Sequence, residues 1–267
     1  MTLKIATWNV NSIAARLPIA TQWLESLTPE TRPDVIGMQE IKCVDEKFPA
    51  SEFEKLGYKS VIFGQPTYNG LATLVRDELA GSLEVLQKNL PDDQEDAQRR
   101  LLAVKVAGVT VINVYVPNGQ SVGSAKYDYK LDWLARLRQY LDNMFVPTEK
   151  LTIIGDFNVA PEPIDVYDPK VWEGKILFSE PERQAINVLQ SWGLNDSYRK
   201  LNPALQEFSW WDYRAAGFRR NLGLRIDLIM ATDPLLATCQ AVTIDKEPRT
   251  WERPSDHTPV IAAFDIG

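Results

Sequence analysis

The nine residues LTIIGDFNV, positions 151–159, place a carboxylate and a carboxamide where a predicted strand ends. The four apolar or β-branched residues before Gly155 predict a short buried strand. If the extended backbone continues, Asp156 and Asn158 point to the same side, because alternate residues of a strand share a face. An anionic base beside a neutral hydrogen-bond donor suits attack of water on a phosphate. For this stretch alone, an ordinary strand-to-turn junction is the alternative.

Polar side chains also lie at the ends of several other predicted strands. The strand-end sequences are WNVN (8–11), MQE (38–40), VYVPN (114–118), RIDL (225–228) and SDH (255–257). Functional residues along one rim are typical of a site on a rigid scaffold. Each has a plainer alternative: Glu40 as a surface acid, Tyr115 as a strand aromatic, and His257, the chain's only histidine, as a structural residue. The serine, aspartate and histidine at 255–257 are adjacent and cannot form a serine-protease relay.

The composition describes an ordinary globular protein of 267 residues with 45% hydrophobic and 24% charged residues. It has no run of about 20 apolar residues, no basic-then-apolar leader, and only two cysteines, Cys43 and Cys239. We therefore expect a reduced, cytoplasmic protein without membrane association, a disulfide framework or a cysteine-based metal cluster.

The net charge of −7 argues against a nucleic-acid binder, since such domains are usually basic. The charge is segregated, however. Residues 208–225 contain four arginines and one acid, which gives this segment a charge of +3. Local charge governs binding of a ligand on that surface. An acidic protein that binds a polyphosphate also needs a divalent cation among its carboxylates, and we expect one here.

Short strands and helices alternate irregularly along the chain. Helices are predicted at Arg16–Leu27, at Tyr127–Met144, whose apolar face includes Leu131, and at Glu182–Trp192. About a dozen short strands fill the remainder, some of them in hairpins and one of them at residues 208–213. The acidic stretch DDQED at 92–96 predicts a solvent-exposed loop. This mixture favours two mixed sheets packed face to face with helices outside, a four-layer α/β sandwich, as a single domain over residues 1–267.

Taken together, these motifs resemble the exonuclease III family of abasic-site endonucleases, within the superfamily that includes pancreatic deoxyribonuclease and the inositol-phosphate phosphatases. The resemblance spans nearly the whole chain, and the fold of that family is the same four-layer sandwich. It is carried by KIATWNVNSIAARL (4–17), DVIGMQEIK (34–42), NGLAT (69–73), VINVYVPNG (111–119), IGDFNVAP (154–161), FSWWDYR (208–214), LGLRIDLI (222–229) and ERPSDHTPV (252–260).

The resemblance implies a role for each strand-end residue. The implied metal ligands are Asn9, Glu40 and Asp256, which are hard oxygen donors suited to Mg²⁺ or Mn²⁺. Asp156 and Asn158 are available as ligands of a second ion, and the number of ions stays open. The implied catalytic residues are Asp156 for the attacking water, Asn158 for the transition state, the Asp227–His257 pair, and Tyr115 for the leaving oxygen. Pancreatic-type relatives use a second histidine as that acid, and this chain has none.

The resemblance also implies the substrate. Asn11 and Asn118 would lie beside the phosphate, Trp210, Leu224 and Ile226 would form an apolar pocket for the base-less sugar, and Arg214 would border the duplex. An abasic nucleotide flips out cheaply because it has no base to unstack. One tryptophan of the pair 210–211 is expected to serve core packing, and Phe218 to act as an apolar wedge among the arginines.

The implied activity is cleavage of double-stranded DNA 5′ to an abasic site, leaving a 3′-hydroxyl, with 3′-end cleaning and 3′→5′ exonuclease activity by a monomer. Two alternatives belong to other classes. One is a phosphatase of the same superfamily acting on lipid or inositol phosphates, and the other is a nucleic-acid-binding relative without catalysis. The arginine-rich segment argues against the first, and the complete set of carboxylates against the second.

Overall fold

Two six-stranded sheets form the centre of the computed structural model, which describes residues 1–94 and 97–267. Glu95 and Asp96 of the predicted acidic loop lie outside the described residues. In chain order the strands are β1 Thr2–Asn9, β2 Val35–Gln39, β3 Tyr58–Phe63, β4 Leu71–Arg76, β5 Glu84–Lys88, β6 Leu101–Val106, β7 Val109–Tyr115, β8 Leu151–Asp156, β9 Leu194–Asp196, β10 Trp210–Trp211, β11 Gly223–Leu224, β12 Asp227–Thr232, β13 Cys239–Ile244 and β14 Val260–Asp265.

Both sheets are mixed. The first has the order β13-β14-β1-β2-β4-β3 and the second β5-β6-β7-β8-β12-β9, while β10 and β11 form a small separate ribbon. Only β1–β2 and β7–β8 are parallel among the pairings of the described strands. Each sheet therefore has a parallel pair at its centre, and those four strands carry or precede half of the predicted site residues.

Helices cover the outer faces of the two sheets. The helices in the described part of the chain are α1 Ile13–Ser26, α2 Ala50–Glu54, α3 Ala125–Met144, α4 Pro169–Trp172, α5 Glu180–Ser191, α6 Ser197–Leu201 and α7 Asp233–Leu236. Helices α1 and α2 pack on the first sheet, and α3 and α5 on the second. No helix in the described part of the chain has the length and apolarity needed to cross a membrane.

The alternating side chains of β1 explain why the layers stack as they do. Leu3 and Ile5 point into the core between the sheets, whereas Ala6 and Trp8 point into the core beneath α1. A strand with both faces apolar must be covered on both sides, because each face gains free energy only when it leaves water. The predicted four-layer α/β sandwich is confirmed.

Several predicted boundaries differ from the structure. Helix α3 begins at Ala125 and buries Lys130 on its inner face, while Leu131, predicted on that face, is only half-buried. The predicted strand at 208–213 contracts to two residues, and β5 and β9 were not predicted because they are short and half-polar. Packing decides these short segments more than local propensity does.

Candidate active site

Three buried titratable side chains meet at one rim of the second sheet. Asp156, Asp227 and His257 each present an atom within 4.8 Å of the other two. Asp156 ends β8 and pairs directly with Asp227 at the start of the antiparallel β12. His257 reaches them because its backbone forms an isolated bridge with Trp210 of the small ribbon. Residues far apart in the sequence thus converge through strand pairing.

The Asp227 carboxylate holds the imidazole of His257. His257 Nδ1 lies 3.0 Å and 2.9 Å from the two oxygens of Asp227, and the Ser209 hydroxyl donates to Asp227 Oδ2 at 2.6 Å. Burial lowers the pKa of His257, but the negative charges of Asp227 and Asp156 outweigh it and raise that pKa to about 10. The ring is therefore an imidazolium at neutral pH, with Nε2 3.7 Å from Asp156 Oδ2.

Asp156 is oriented by amide donors. Its oxygens accept hydrogen bonds from the Asn158 backbone at 2.8 Å and from Asn9 Nδ2 at 2.9 Å. Burial raises the pKa of Asp156, and the nearby positive charge of His257 opposes that rise. A carboxylate that retains some basicity beside a fixed imidazolium can accept a proton from water.

Asn158 lies beside Asp156 for a different reason than predicted. The strand ends at Asp156, and Asn158 has a left-handed backbone with φ of 50°, so the extended alternation does not continue. A turn instead brings the Asn158 amide back to Asp156 Oδ2 at 3.2 Å, and the same amide donates to Val116 O at 3.0 Å. Asparagine tolerates this conformation better than most residues.

Unusual backbone conformations gather at this rim. Asn11 and Glu40 also have positive φ, 45° and 52°. A Cβ on Gly155 would lie 1.9 Å from Val114 O, so only glycine permits the close approach of β8 to β7 just before Asp156. Such strain tends to collect at functional sites because the surrounding structure has to hold it.

The residues implied as metal ligands lie along one hydrogen-bonded chain at the rim. Asn9 Nδ2 donates to Glu40 Oε1 at 2.8 Å, and Lys42 Nζ lies 2.9 Å from Glu40 Oε2 and 2.6 Å from Asn11 Oδ1. Asn11 Nδ2 donates in turn to Asp256 Oδ1 at 2.9 Å. Glu40 and Asp256 do not join the three-residue cluster of facing atoms in the described chain.

Two of the implied metal ligands are carboxylates bonded to the same amide. Glu40 and Asp156 accept from the same Asn9 amide, so their oxygens face one another across it. Such a donor set suits a hard cation like Mg²⁺ or Mn²⁺ and does not suit a thiophilic metal. Asp256 is engaged by Asn11 and by Trp210 Nε1 at 3.0 Å, and the Asn9 oxygen accepts from the Asn11 backbone at 2.9 Å. Their roles as ligands stay predictions.

Tyr115 and Asn118 border an open cavity of about 560 Å³ next to the cluster. Burial, followed by the charges of Glu40 and Asp156, raises the pKa of Tyr115 well above its ordinary value, so its hydroxyl keeps its proton. The Arg100 guanidinium lies over the Tyr115 ring, 4.8 Å from its centre. Asn118 Nδ2 donates to Asn158 Oδ1 at 3.0 Å and joins the cluster through it.

The predicted sugar-pocket residues form one apolar cluster. Trp210, Leu224 and Ile226 pack together against the loop that contains Phe178. Leu224 and Ile226 are fully buried, so of the three only Trp210 offers side-chain surface to a ligand. Trp211 is buried, which confirms that one tryptophan of the pair serves the core.

The arginine-rich segment is less charged at its surface than predicted. Arg225 is buried and bonded to Asp165 and Asp196, whereas Arg214, like its neighbours at 219 and 220, is exposed. Phe218 packs edge-on against the core residue Trp211 with ring centres 5.0 Å apart, so it supports this segment from inside. Phe218 is half-buried, and its role as a wedge stays a prediction.

Four residues of the site were not singled out from the sequence: Ser209, Lys42, Arg100 and Lys130. Lys130 had a detectable signal, because it is a charged residue at a helical position flanked by apolar ones. Ser209 and Lys42 sit inside the quoted motifs, and only the hydrogen bonds to Asp227 and Glu40 reveal their place. Arg100 carries no distinguishing pattern.

Comparison with known proteins agrees with this geometry. The family model described as "Endonuclease/Exonuclease/phosphatase family" matches residues 6–257. Exodeoxyribonuclease III of Haemophilus influenzae is 39% identical over 98% of this chain and 100% of its own length. The 3′-phosphatase NExo from Neisseria, solved with a product DNA hairpin, is 42% identical with a TM-score of 0.90, covering 98% of this chain and 99% of its own.

An AP endonuclease from Archaeoglobus fulgidus is 40% identical, with a TM-score of 0.89 over 99% of this chain and 100% of its own. These similarities cover the full set of strands that carry the rim residues. The chain belongs to the endonuclease/exonuclease/phosphatase family.

Proposed function

We propose that this protein is a divalent-metal-dependent nuclease that cleaves double-stranded DNA 5′ to abasic sites and leaves a 3′-hydroxyl. It also removes blocking groups from 3′ ends and degrades DNA in the 3′→5′ direction. The observation that carries this proposal is the convergence of Asp156, Asp227 and His257 at one rim, with Asn158 and Tyr115 beside them. The activities named for the similar nucleases support it.

Each side chain has a task that follows from its contacts. Asp156, held by Asn9 and Asn158, orients the attacking water and accepts its proton. The His257 imidazolium, fixed by Asp227, stabilises the phosphoryl oxygens as they gain charge. The Tyr115 hydroxyl, which keeps its proton, donates to the departing 3′ oxygen.

Glu40 and Asp156 would hold the divalent cation, with Asn9 between them. A bound Mg²⁺ or Mn²⁺ supplies charge neutralisation at the phosphate. Trp210 offers a face for the base-less sugar, and the exposed Arg214 lies on the same segment, where it can contact the backbone of the duplex. Because the chain has no second histidine to protonate the leaving group, Tyr115 takes the role of that acid.

The decisive experiment follows an end-labelled duplex with one abasic analogue. We expect cleavage at the abasic analogue to give a first product ending in a 3′-hydroxyl when Mg²⁺ or Mn²⁺ is present, which the 3′→5′ activity then shortens, and no product with EDTA. An intact duplex serves as the specificity control, and a duplex with a 3′-phosphate tests end cleaning. Faster hydrolysis of a phosphoinositide, or DNA binding without cleavage in any divalent ion, would contradict the proposal.

We also propose that the chain acts in the cytoplasm as a monomer and as one catalytic unit over residues 1–267. Light scattering at micromolar concentration tests the monomer. A stable dimer that lost activity on dilution would contradict it.

A further inference from the structure

A buried lysine lies directly beneath two loops of the candidate active site. Lys130, in the middle of α3, is 0% exposed. Its Nζ donates to the backbone carbonyls of Asn158 at 2.6 Å and Asn118 at 3.2 Å, and it pairs with Glu182 of α5. An ammonium has three protons to donate, and here each has an acceptor.

The carboxylate that pairs with Lys130 is also buried and hydrogen-bonded. Glu182 is also 0% exposed and accepts from the Leu177 backbone at 3.1 Å and from the Ser179 backbone and hydroxyl at 2.9 Å and 2.6 Å. A buried ion pair contributes little net stability, because desolvation of both charges offsets their attraction. The arrangement therefore calls for an explanation other than stability.

The two carbonyls belong to residues whose side chains are bonded to each other. Asn118 Nδ2 donates to Asn158 Oδ1, and Asn158 orients Asp156 through its backbone and its amide. The stem of Lys130 also packs beneath Gly119, where an added Cβ would lie 3.1 Å from the lysine Cδ. One ammonium thus fixes both turns, including the left-handed conformation of Asn158.

We propose that Lys130, with Glu182 as its partner, is a positioning residue that sets Asn118 and Asn158 against Asp156. This inference rests on the proposed nuclease activity. Lys130 is buried and acts only through the two backbone carbonyls, so it makes no contact with DNA itself and acts through the geometry of the reacting groups. Misplacement of a catalytic group by about 1 Å can cost on the order of 100-fold in rate.

The first test compares Lys130→Met with Lys130→Met/Glu182→Gln in cleavage of the abasic duplex, with kcat and KM both measured at steady state. We expect the single variant to lose ~10- to 100-fold in kcat with KM unchanged. The double variant should regain most of the unfolding midpoint, because it removes the uncompensated buried charge, without regaining kcat. Arg138→Met, on the outer face of the same helix, should change neither quantity.

The second test is a double-mutant cycle. In an Asn118→Ala/Asn158→Ala background, adding Lys130→Met should lower kcat by a smaller factor than in the wild type, because the two amide side chains are gone and only the backbone N–H of residue 158 is left to orient Asp156. If Lys130→Met alone does not fold, the double variant Lys130→Met/Glu182→Gln replaces it in the cycle.

Recovery of both stability and kcat in the double variant, or a full loss repeated in the alanine background, would overturn the positioning role. Failure of the wild-type chain to cleave the abasic duplex would count against the proposed function instead.

Discussion

Replacing Asp227 by asparagine should remove the charge of His257 while keeping the shape of the pair. Asparagine retains an oxygen that can accept from the Ser209 hydroxyl and from His257 Nδ1, as the carboxylate now does. Raising the imidazole pKa from 6.5 to about 10 favours the charged ring by roughly 5 kcal/mol. The negative charge of Asp227 is the largest effect that raises the pKa of His257, and burial is the effect that lowers it.

Without Asp227, burial should dominate, and the pKa of His257 should fall towards or below 6.5. At pH 8 the ring would be charged in the wild type and neutral in Asp227→Asn. If the imidazolium stabilises the phosphoryl oxygens, kcat at pH 8 should fall by ~100- to 1000-fold. The ratio of wild-type to variant kcat should narrow towards pH 6 as the variant's ring regains its proton.

Because His257 is the chain's only histidine, its ring resonances can be followed by NMR without assignment ambiguity. The titration is run on metal-free protein, and kcat is measured on the abasic duplex over the same pH range. Asp132→Asn, an exposed change on α3, is the control for the loss of one carboxylate. A charged ring at pH 8 in Asp227→Asn would refute the electrostatic argument. A neutral ring with undiminished kcat would refute the role given to the imidazolium.

The remaining predictions concern the base, the pocket, the buried ion network and the metal. Asp156→Asn should lower the single-turnover rate constant by ~10³-fold with the Kd for DNA retained, and a weaker Kd with an unchanged rate constant would contradict its role. Trp210→Ala should reduce the rate preference for abasic over intact duplex by about tenfold, because the base-less sugar loses its apolar contact. Arg225→Met leaves Asp196 without its buried cation and Asp165 with Arg199 alone, and it should cost about 3–5 kcal/mol in urea unfolding, against near zero for an exposed arginine. Chelation should abolish cleavage, and Mg²⁺ or Mn²⁺ should raise Tm; unchanged activity in EDTA would refute the metal dependence.

The sequence predicted the fold and the rim because both depend on strong, repeated patterns. Apolar runs with a polar residue at one end located β8 and β12, and their antiparallel pairing brings Asp156 opposite Asp227. The alternation argument gave the right neighbour for Asp156 by the wrong route, since Asn158 reaches it through a left-handed turn. A pattern of side-chain faces contains no information on where an extended backbone stops.

Buried charges were the main failure, and for a physical reason. Arg225 was counted as part of a positive surface, yet it is buried against Asp165 and Asp196. Lys130 lies on an apolar helix face and pairs with Glu182, 52 positions away. Charged residues are rarely buried unless paired, and the partner depends on tertiary packing that local sequence does not encode. The prediction of surface charge for residues 208–225 was therefore correct for Arg214, Arg219 and Arg220 and wrong for Arg225.

These buried pairs lie on either side of the reacting groups. Arg225 directly precedes Ile226 and Asp227, and its bonds to Asp165 and Asp196 fix the segment that holds the histidine's partner. Lys130 fixes the opposite turns from below. An apolar core could support the same strands at less desolvation cost, but it offers no directional donor to a carbonyl or a carboxylate. Hydrogen bonds from a buried cation can set a turn to within a fraction of an ångström, and in-line attack on phosphorus requires that placement.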